Sequence, residues 1–132
     1  MAEEYVAGVC NIGPAETARR RRVGERGALA ALGLLILLRL ARAPRGWRLL
    51  VFFPAAVSAA GYLEAARHFC AAYGWRGVLN FGDLGAAEAV GEEAFRAEDR
   101  RQARRIGAES GAIGLGVALV AVAMGRGRRR GR

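Results

Sequence analysis

Residues 47–77, WRLLVFFPAAVSAAGYLEAARHFCAAYGWRG, decide the fold of this chain. The stretch contains an apolar run, residues 49–63, that leads into His68 and Cys70 and then into a turn rich in glycine and aromatic residues. An apolar run with an aromatic end is typical of a helix that crosses a lipid bilayer and ends at its surface. The stretch therefore predicts a membrane helix that delivers a thiol, an imidazole and aromatic rings to one membrane face.

A second apolar run, residues 27–41, precedes this stretch and carries one charge, Arg39. About 15 residues of helix extend roughly 22 Å, against roughly 30 Å of bilayer hydrocarbon, so its flanking arginines must extend to the headgroups. Pro44 breaks the helix between the two runs, and Trp47 suits the membrane interface. A link this short predicts an antiparallel hairpin with spans near 27–41 and 49–66, and Pro54 predicts a kink in the second helix.

Two further segments follow the hairpin. Residues 86–105 predict a polar helix without a sustained apolar face, which places it in solvent or at the headgroups. Residues 110–125 are uncharged; crossing the membrane is the favoured interpretation, with a re-entrant or interfacial placement left open. The predicted fold class is therefore all-α: an integral membrane helical hairpin plus a polar helix and a third apolar helix.

The predicted organisation has four parts within one domain, as expected for 132 residues. The parts are a cytoplasmic N-terminal segment at 1–26, the transmembrane hairpin at 27–66, a cytoplasmic aromatic and glycine turn with the polar helix at 67–105, and the third apolar helix with a basic tail at 106–132. Residues 1–18 are polar, with none of the apolar core of a secretory signal.

Charge supports a membrane location. The net charge is +9 and all 21 basic residues are arginine, clustered between the apolar runs. Four consecutive arginines at 19–22 cover every face of a helical turn, so they cannot pack on a core; near anionic headgroups each contributes roughly 1 kcal/mol. The predicted membrane-interface residues are Arg19, Arg20, Arg21, Arg22, Trp47, Tyr73 and Trp75.

Small residues in the second span predict close helix packing. Ala55, Ser58, Ala59 and Gly61 let another backbone approach, which drives helix association in lipid. The predicted partners are the bilayer itself and either further copies of this chain or a larger membrane complex. The basic tail has no aromatic interleaving and no recognisable nucleic-acid module, which disfavours nucleic acid as a partner.

Cys10, His68 and Cys70 are the candidate thiols and ligands, and a hairpin with both ends on one side brings them to the same face. Three soft ligands without a Cys-x-x-Cys core do not complete a structural zinc site, so neither metal nor cofactor is predicted. Arg67 and Arg76 near Cys70 favour a thiolate, whereas the simpler interpretation of Cys70 is a small apolar residue at a helix end. A single histidine and no Ser-His-Asp arrangement give no catalytic residue and argue against an enzyme.

Two short motifs bracket the predicted hairpin. The first consists of Asn11, Ile12, Gly13, Glu16, Arg20 and Gly24, and the second of Phe69, Cys70, Tyr73 and Gly77. In this order, residues 11–77 resemble the small two-helix inner-membrane domain of the YgaP-like transmembrane family, although Thr17 and Ala71 replace that family's usual Arg and Pro. The resemblance implies a dimeric hairpin in a prokaryotic plasma (inner) membrane and no established activity.

Three functions from different classes remain open. The first is an accessory or structural membrane subunit that acts through helix packing. The second is a thiol- or persulfide-handling membrane protein that uses Cys70, and the third is a soluble, basic helical protein that binds polyanions. With three spans, twelve of the 21 arginines lie on the N-terminal side and nine on the other, which predicts a cytoplasmic N-terminus.

Overall fold

The computed structural model describes residues 5–124, and the basic tail, RGRRRGR, lies outside that range. The elements in chain order are α1 (Pro14–Leu40), a 3-10 helix (Arg45–Val51), α2 (Phe52–Arg67), α3 (Ala71–Arg76), β1 (Val78–Leu79), β2 (Glu88–Ala89) and α4 (Glu93–Ala123). The fold is mostly helical, in agreement with the all-α part of the predicted class. The two short strands pair antiparallel, Val78 opposite Ala89 and Leu79 opposite Glu88.

The predicted hairpin is present: α1 and α2 pack against each other along their lengths. The chain reverses after Leu40, where Arg42 adopts a left-handed conformation with φ 57° and Pro44 precludes further helix. Pro54 lies in the first turn of α2, directly after the 3-10 helix. A proline costs little there, because the first amides of a helix have no carbonyl partner within it.

Helix α1 is longer than predicted. Pro14 stands at its first position, where the fixed φ favours helix and the missing N–H is not needed. The helix then runs without a break through the four arginines into the apolar run. Most of the predicted N-terminal segment, residues 1–26, and the first predicted span therefore share one helix.

Glycines set the distance between α1 and α2. A Cβ added to Gly61 would lie 2.5 Å from the backbone nitrogen of Gly24, and one added to Gly27 would lie 2.8 Å from Cα of Ser58. The Ser58 hydroxyl donates a hydrogen bond to the Gly24 carbonyl, with the two oxygens 2.6 Å apart. The two helices are thus in backbone contact, which glycine alone permits at these positions.

The small residues predicted for helix packing are all buried within the chain: Ala55, Ser58, Ala59 and Gly61. Ala55 packs in a cluster with Ala31 of α1 and with Val51. Their packing partner is therefore a helix of the same chain. Association of copies stays a prediction.

The predicted polar helix and third apolar helix are in fact one helix, α4, which begins at Glu93 and ends at Ala123. The prediction began the polar helix at residue 86 and gave it no sustained apolar face, whereas residues 86–92 precede α4 and one face of its first half is buried. Ala103 and Ile106 on this face pack around Phe69. The glycines in the second half of α4 do not end the helix. One of them, Gly114, allows close contact with Ala56 of α2.

The far end of α4 lies beside the 3-10 helix. The Arg48 guanidinium donates hydrogen bonds to the carbonyl oxygens of Ala121 and Met124 at 3.0 and 2.7 Å. The last carbonyls of a helix have no partner within the helix, and that end carries partial negative charge. Arg48 supplies both hydrogen-bond donors and a positive charge there. The third apolar run therefore extends alongside α2 as far as the connection of the hairpin.

Two helical segments are long and apolar enough to cross a bilayer: residues Arg45–Arg67, 23 residues, and Glu93–Ala123, 31 residues. Only 28% of the most apolar window of each is buried inside the protein. Within residues 5–124, α1 contains no uninterrupted apolar stretch of this length, because Glu25 and Arg26 precede its apolar run and Arg39 lies near the end of that run. Its second half nevertheless exposes large apolar side chains, among them Leu29, Leu37 and Leu40.

Candidate functional site

Polar side chains are buried at the end of the bundle where α1 begins and α2 ends, with Glu16 at their centre. Glu16 lies in the first turn of α1 and its residue surface is 0% exposed. Its Oε2 atom accepts hydrogen bonds from the Tyr73 hydroxyl at 2.8 Å, from Nδ2 of Asn80 at 2.9 Å and from the Gly85 amide at 3.1 Å. Three donors converge on one carboxylate oxygen, so the side chain joins α1 to α3 and to the loop after β1.

Arg20, one helical turn after Glu16, connects this carboxylate to α2. Its guanidinium lies 3.4 Å from Oε1 of Glu16 and 3.3 Å from Oε1 of Glu64, and it donates to Sγ of Cys70 at 2.8 Å. The Arg20 side chain is only 12% exposed and that of Glu64 13%. One cation therefore serves two carboxylates and a thiol, and we call Glu16, Arg20, Glu64, Cys70, Tyr73 and Asn80 the buried polar cluster.

Two asparagines connect the backbone segments around this cluster. The Cys70 amide donates to Oδ1 of Asn11 at 2.7 Å, and Nδ2 of Asn11 donates to the Cys70 carbonyl at 3.2 Å. The Asn80 amide donates to the Asn11 carbonyl, and the Asn80 carbonyl accepts from the Gly13 amide, both at 2.9 Å. Asn11 and Asn80 are fully buried, so the side chain of Asn11 and the backbone of Asn80 replace the water that these backbone groups would otherwise bind.

The residues before α1 are attached to α4 through a further buried carboxylate, Asp99. Its two oxygens accept hydrogen bonds from the Tyr5 hydroxyl and from the Gly8 amide, each at 2.7 Å. Gly8 has φ 72°, a conformation that favours glycine, and a Cβ there would lie 3.3 Å from Glu98. The N-terminal turn is therefore part of the folded end of the bundle.

The structure divides the predicted membrane-interface residues into two groups. Arg20 and Tyr73 belong to the buried polar cluster, where other parts of the chain cover them. The exposed members are Arg19, Arg21, Arg22, Trp47 and Trp75. The four consecutive arginines surround the helix as expected, and Arg20, which faces α2, pairs with the buried carboxylates of Glu16 and Glu64.

Of the three candidate ligands, the structure brings Cys10 and His68 together and places Cys70 elsewhere. Cys10 and His68 line one open cleft of about 450 Å³, together with Thr17 and Arg21. His68 ends α2 in a left-handed conformation with φ 54°, and its Nδ1 lies 3.1 Å from the Thr17 hydroxyl. We call this the Cys10–His68 cleft. Among residues 5–124, no group of three or more histidine, cysteine or acidic side chains is placed to hold a metal ion.

Cys70 is 2% exposed and packs with Ile12 and Tyr73. Its backbone is held by Asn11 and its sulfur accepts a hydrogen bond from Arg20. Every polar atom of the residue thus has a structural partner. This arrangement matches the simpler sequence interpretation, a small residue packed at a helix end.

Sequence analysis missed Asn80 and Asp99 as site residues, and it does not give the partner of Glu64. Glu64 and Arg67 lie three residues apart, a spacing that allows an ion pair on one helix face. In the structure Glu64 pairs with Arg20, and Arg67 pairs with Glu109 of α4 at 2.6 Å. The two short motifs did carry a usable signal, because Asn11, Glu16 and Arg20 of the first contact Cys70 and Tyr73 of the second.

The electrostatics of the cluster keep Glu16 ionised and Tyr73 protonated. Burial raises the pKa of Glu16, but the bonds from Gly85, Tyr73 and Asn80 and the charge of Arg20 together outweigh it, so the pKa lies below its usual value. Burial and the hydrogen bond to Glu16 raise the pKa of Tyr73. At neutral pH the pair is a carboxylate acceptor and a phenol donor.

We expect stability to fall as the pH is lowered through the acid range. The folded-state pKa of Glu16 lies below the unfolded value of about 4.3, so its contribution is complete above that pH and is lost as pH falls through the folded-state pKa. Chemical unfolding in detergent between pH 7 and pH 3 measures this. Glu16→Gln should flatten the curve in this range, whereas Glu25→Gln, at an exposed position of the same helix, should leave it unchanged. An unaltered slope in Glu16→Gln would contradict the assignment.

Comparison with protein-family models, curated proteins and solved structures gives no match for this chain.

Proposed function

We propose that this chain is a small integral membrane protein whose α1, α2 and α4 cross the bilayer and whose role is that of an accessory or structural subunit. The observation that carries the proposal is the pair of membrane-length apolar helices, of which less than a third is buried inside the protein. Large apolar side chains such as Phe53, Leu119 and Val120 are more than half exposed. A water-soluble protein seldom exposes a continuous apolar surface of this kind, whereas lipid covers it.

The polar end of the molecule supports a structural role over a catalytic one. Each carboxylate of the buried polar cluster already has a guanidinium or a backbone amide as its partner. The cluster therefore holds the helices together through ion pairs and hydrogen bonds. Cys70 is enclosed, which leaves the thiol- or persulfide-handling alternative without an accessible sulfur at that position. The polyanion-binding alternative would leave the exposed apolar helices in water, at a cost of roughly 25 cal/mol per Å² of apolar surface.

We expect the protein to stay with the membrane fraction after washing with alkaline carbonate or high salt, and to be released by detergent. Lipid contacts of the apolar helices are insensitive to charge screening, whereas a basic protein held by its arginines is released. A peripheral basic protein in the same preparation serves as the control. Release of this chain by carbonate or salt alone would contradict the proposal and favour the polyanion alternative.

The proposed orientation puts the N-terminus, His68 and Cys70 in the cytoplasm of a prokaryotic cell, and the hairpin connection outside. The twelve-to-nine division of arginines supports it. Gly46 and Gly91 are exposed glycines with open space around them, Gly46 in the hairpin connection and Gly91 just before α4. In a Cys10→Ser background, an impermeant maleimide should label Gly46→Cys in intact cells and Gly91→Cys only after lysis. The reverse pattern would overturn the orientation.

The same surface suits self-association or docking onto a larger membrane complex. The α1–α2 face is used within the chain, so the outer faces of α2 and α4 are the ones available for a partner. The resemblance of residues 11–77 to the YgaP-like family is part of this proposal and implies a dimer. The mass of the gently solubilised protein tests this: a monomer with nothing co-purifying would contradict both forms of association.

A further inference from the structure

We propose that the Cys10–His68 cleft binds the phosphate headgroup of an anionic membrane phospholipid, an inference that rests on the membrane location proposed above. The cleft encloses about 450 Å³, within the range of small-ligand sites, which is roughly 300–1,000 Å³. That space accommodates a headgroup and the first carbons of its chains. It does not accommodate a whole lipid, whose remaining chain would extend along the apolar helices.

The position of the cleft fits a headgroup. One wall is His68, the residue at which α2 ends, and the other is α1 at Thr17, Ala18 and Arg21, ahead of the apolar run. When the apolar lengths of α2 and α4 lie in hydrocarbon, the cleft lies at the boundary between hydrocarbon and water, where lipid phosphates are found.

The chemistry of the walls fits an anion with an apolar attachment. Ile12, Pro14 and Phe81 provide apolar surface, and Arg21 and His68 provide donors. No acidic side chain is among the described residues that line the cleft. On α1, Glu16 faces Arg20 in the buried polar cluster, and Glu25, one turn after Arg21, is exposed and does not line the cleft. Arginine binds phosphate oxygens through its planar fork of donors, and the positive end of α1 adds to the attraction.

Adjacent arginines provide a matched test of this site. Arg21 lines the cleft, while Arg22 is exposed on another face of the same helical turn, and both substitutions to glutamine remove the same charge. Ala18→Leu fills the cleft without changing any charge. Circular dichroism of each purified full-length variant verifies that the helices are retained.

The experiment counts bound lipid by native mass spectrometry of the detergent-solubilised protein, titrated with phosphatidylglycerol or with zwitterionic phosphatidylcholine. We expect saturable binding of phosphatidylglycerol, about fivefold weaker in Arg21→Gln, the effect of roughly one arginine at a headgroup, and weaker in Ala18→Leu. Arg22→Gln should bind as the unmodified protein does. Bound phosphatidylglycerol should also slow alkylation of Cys10, which lines the same cleft.

Three results would overturn the site. Equal losses of phosphatidylglycerol binding in Arg21→Gln and Arg22→Gln would show that the lipid is attracted to the charged surface in general. Equal binding of both lipids would show that the anion is not recognised, and protection of Cys10 by inorganic phosphate at the same concentration would assign the cleft to a soluble phosphate. If one of these three results is obtained while the protein stays in carbonate-washed membranes, only the lipid site is refuted. If carbonate releases the protein, the proposed function is refuted as well.

Discussion

Gly61→Ala should destabilise the protein by about 2–3 kcal/mol or more, although it adds one methyl group. The new Cβ would lie 2.5 Å from the Gly24 nitrogen and 2.7 Å from the Arg20 carbonyl oxygen. Both are backbone atoms of α1, so no side-chain rotation can relieve the overlap. The helices must separate, which disturbs the hydrogen bond from Ser58 to Gly24 and moves Arg20 relative to Glu64. Chemical unfolding in detergent measures the loss.

Gly33→Ala is the matched control, because Gly33 lies inside α1 and no other part of the described structure comes within 4 Å of an added Cβ. At such a position alanine favours the helix over glycine by up to about 1 kcal/mol. The same substitution should therefore have opposite signs at two helical glycines of one protein. Equal stability of Gly61→Ala and the unmodified chain would refute the backbone contact between α1 and α2.

Arg20→Met should be similarly severe, with a loss of about 3–5 kcal/mol at neutral pH, the usual cost of leaving a buried charge without its partner. Methionine resembles the arginine stem in shape but provides no cation. Glu16, Glu64 and the thiol of Cys70 would then share a buried site with no guanidinium between them. Protonation of a carboxylate relieves part of this penalty, so the stability difference from the unmodified protein should narrow as the pH is lowered.

Arg19→Met is the control for Arg20→Met. Arg19 lies 3.9 Å from Glu16, and its side chain is 52% exposed. Exposed ion pairs contribute little, so the expected change is within about 0.5 kcal/mol. Comparable losses in the two variants would mean that the burial of Arg20 does not matter, which would count against the buried polar cluster as the joint of the bundle.

Local chemistry was sufficient to predict the helical character and the hairpin. Pro44 interrupts the hydrogen bonds of a helix whatever surrounds it, and a long apolar run without strand-breaking turns favours a helix, the one single-segment structure that satisfies its own backbone in lipid. The boundaries of α1 and α4 were not predicted, because both helices combine a charged half with an apolar half. A prediction from composition divides the chain where charged residues give way to apolar ones. The backbone hydrogen bonds of a helix continue across such a change.

The contents of the site depended on tertiary structure. The bonds from Tyr73 to Glu16 and from Arg20 to Cys70 join residues 57 and 50 positions apart. Nothing in the local pattern distinguishes the pairing of Glu64 with Arg67 from its pairing with Arg20, because both place opposite charges within reach. The packing of α1 on α2 determines the pairing, because it places the Arg20 guanidinium beside the Glu64 carboxylate.

The arginines at 19–21 show this division most directly. The sequence by itself determined that a cluster of positive charge surrounds α1 at the polar end of the bundle. Successive residues of a helix point about 100° apart, so the three identical side chains take different directions. The close contact of Gly24 and Gly61 fixes the rotation of α1: Arg20 faces the buried carboxylates, Arg21 faces the cleft and Arg19 faces solvent. Identical residues thus acquired three roles from the orientation of one helix, which only the folded chain determines.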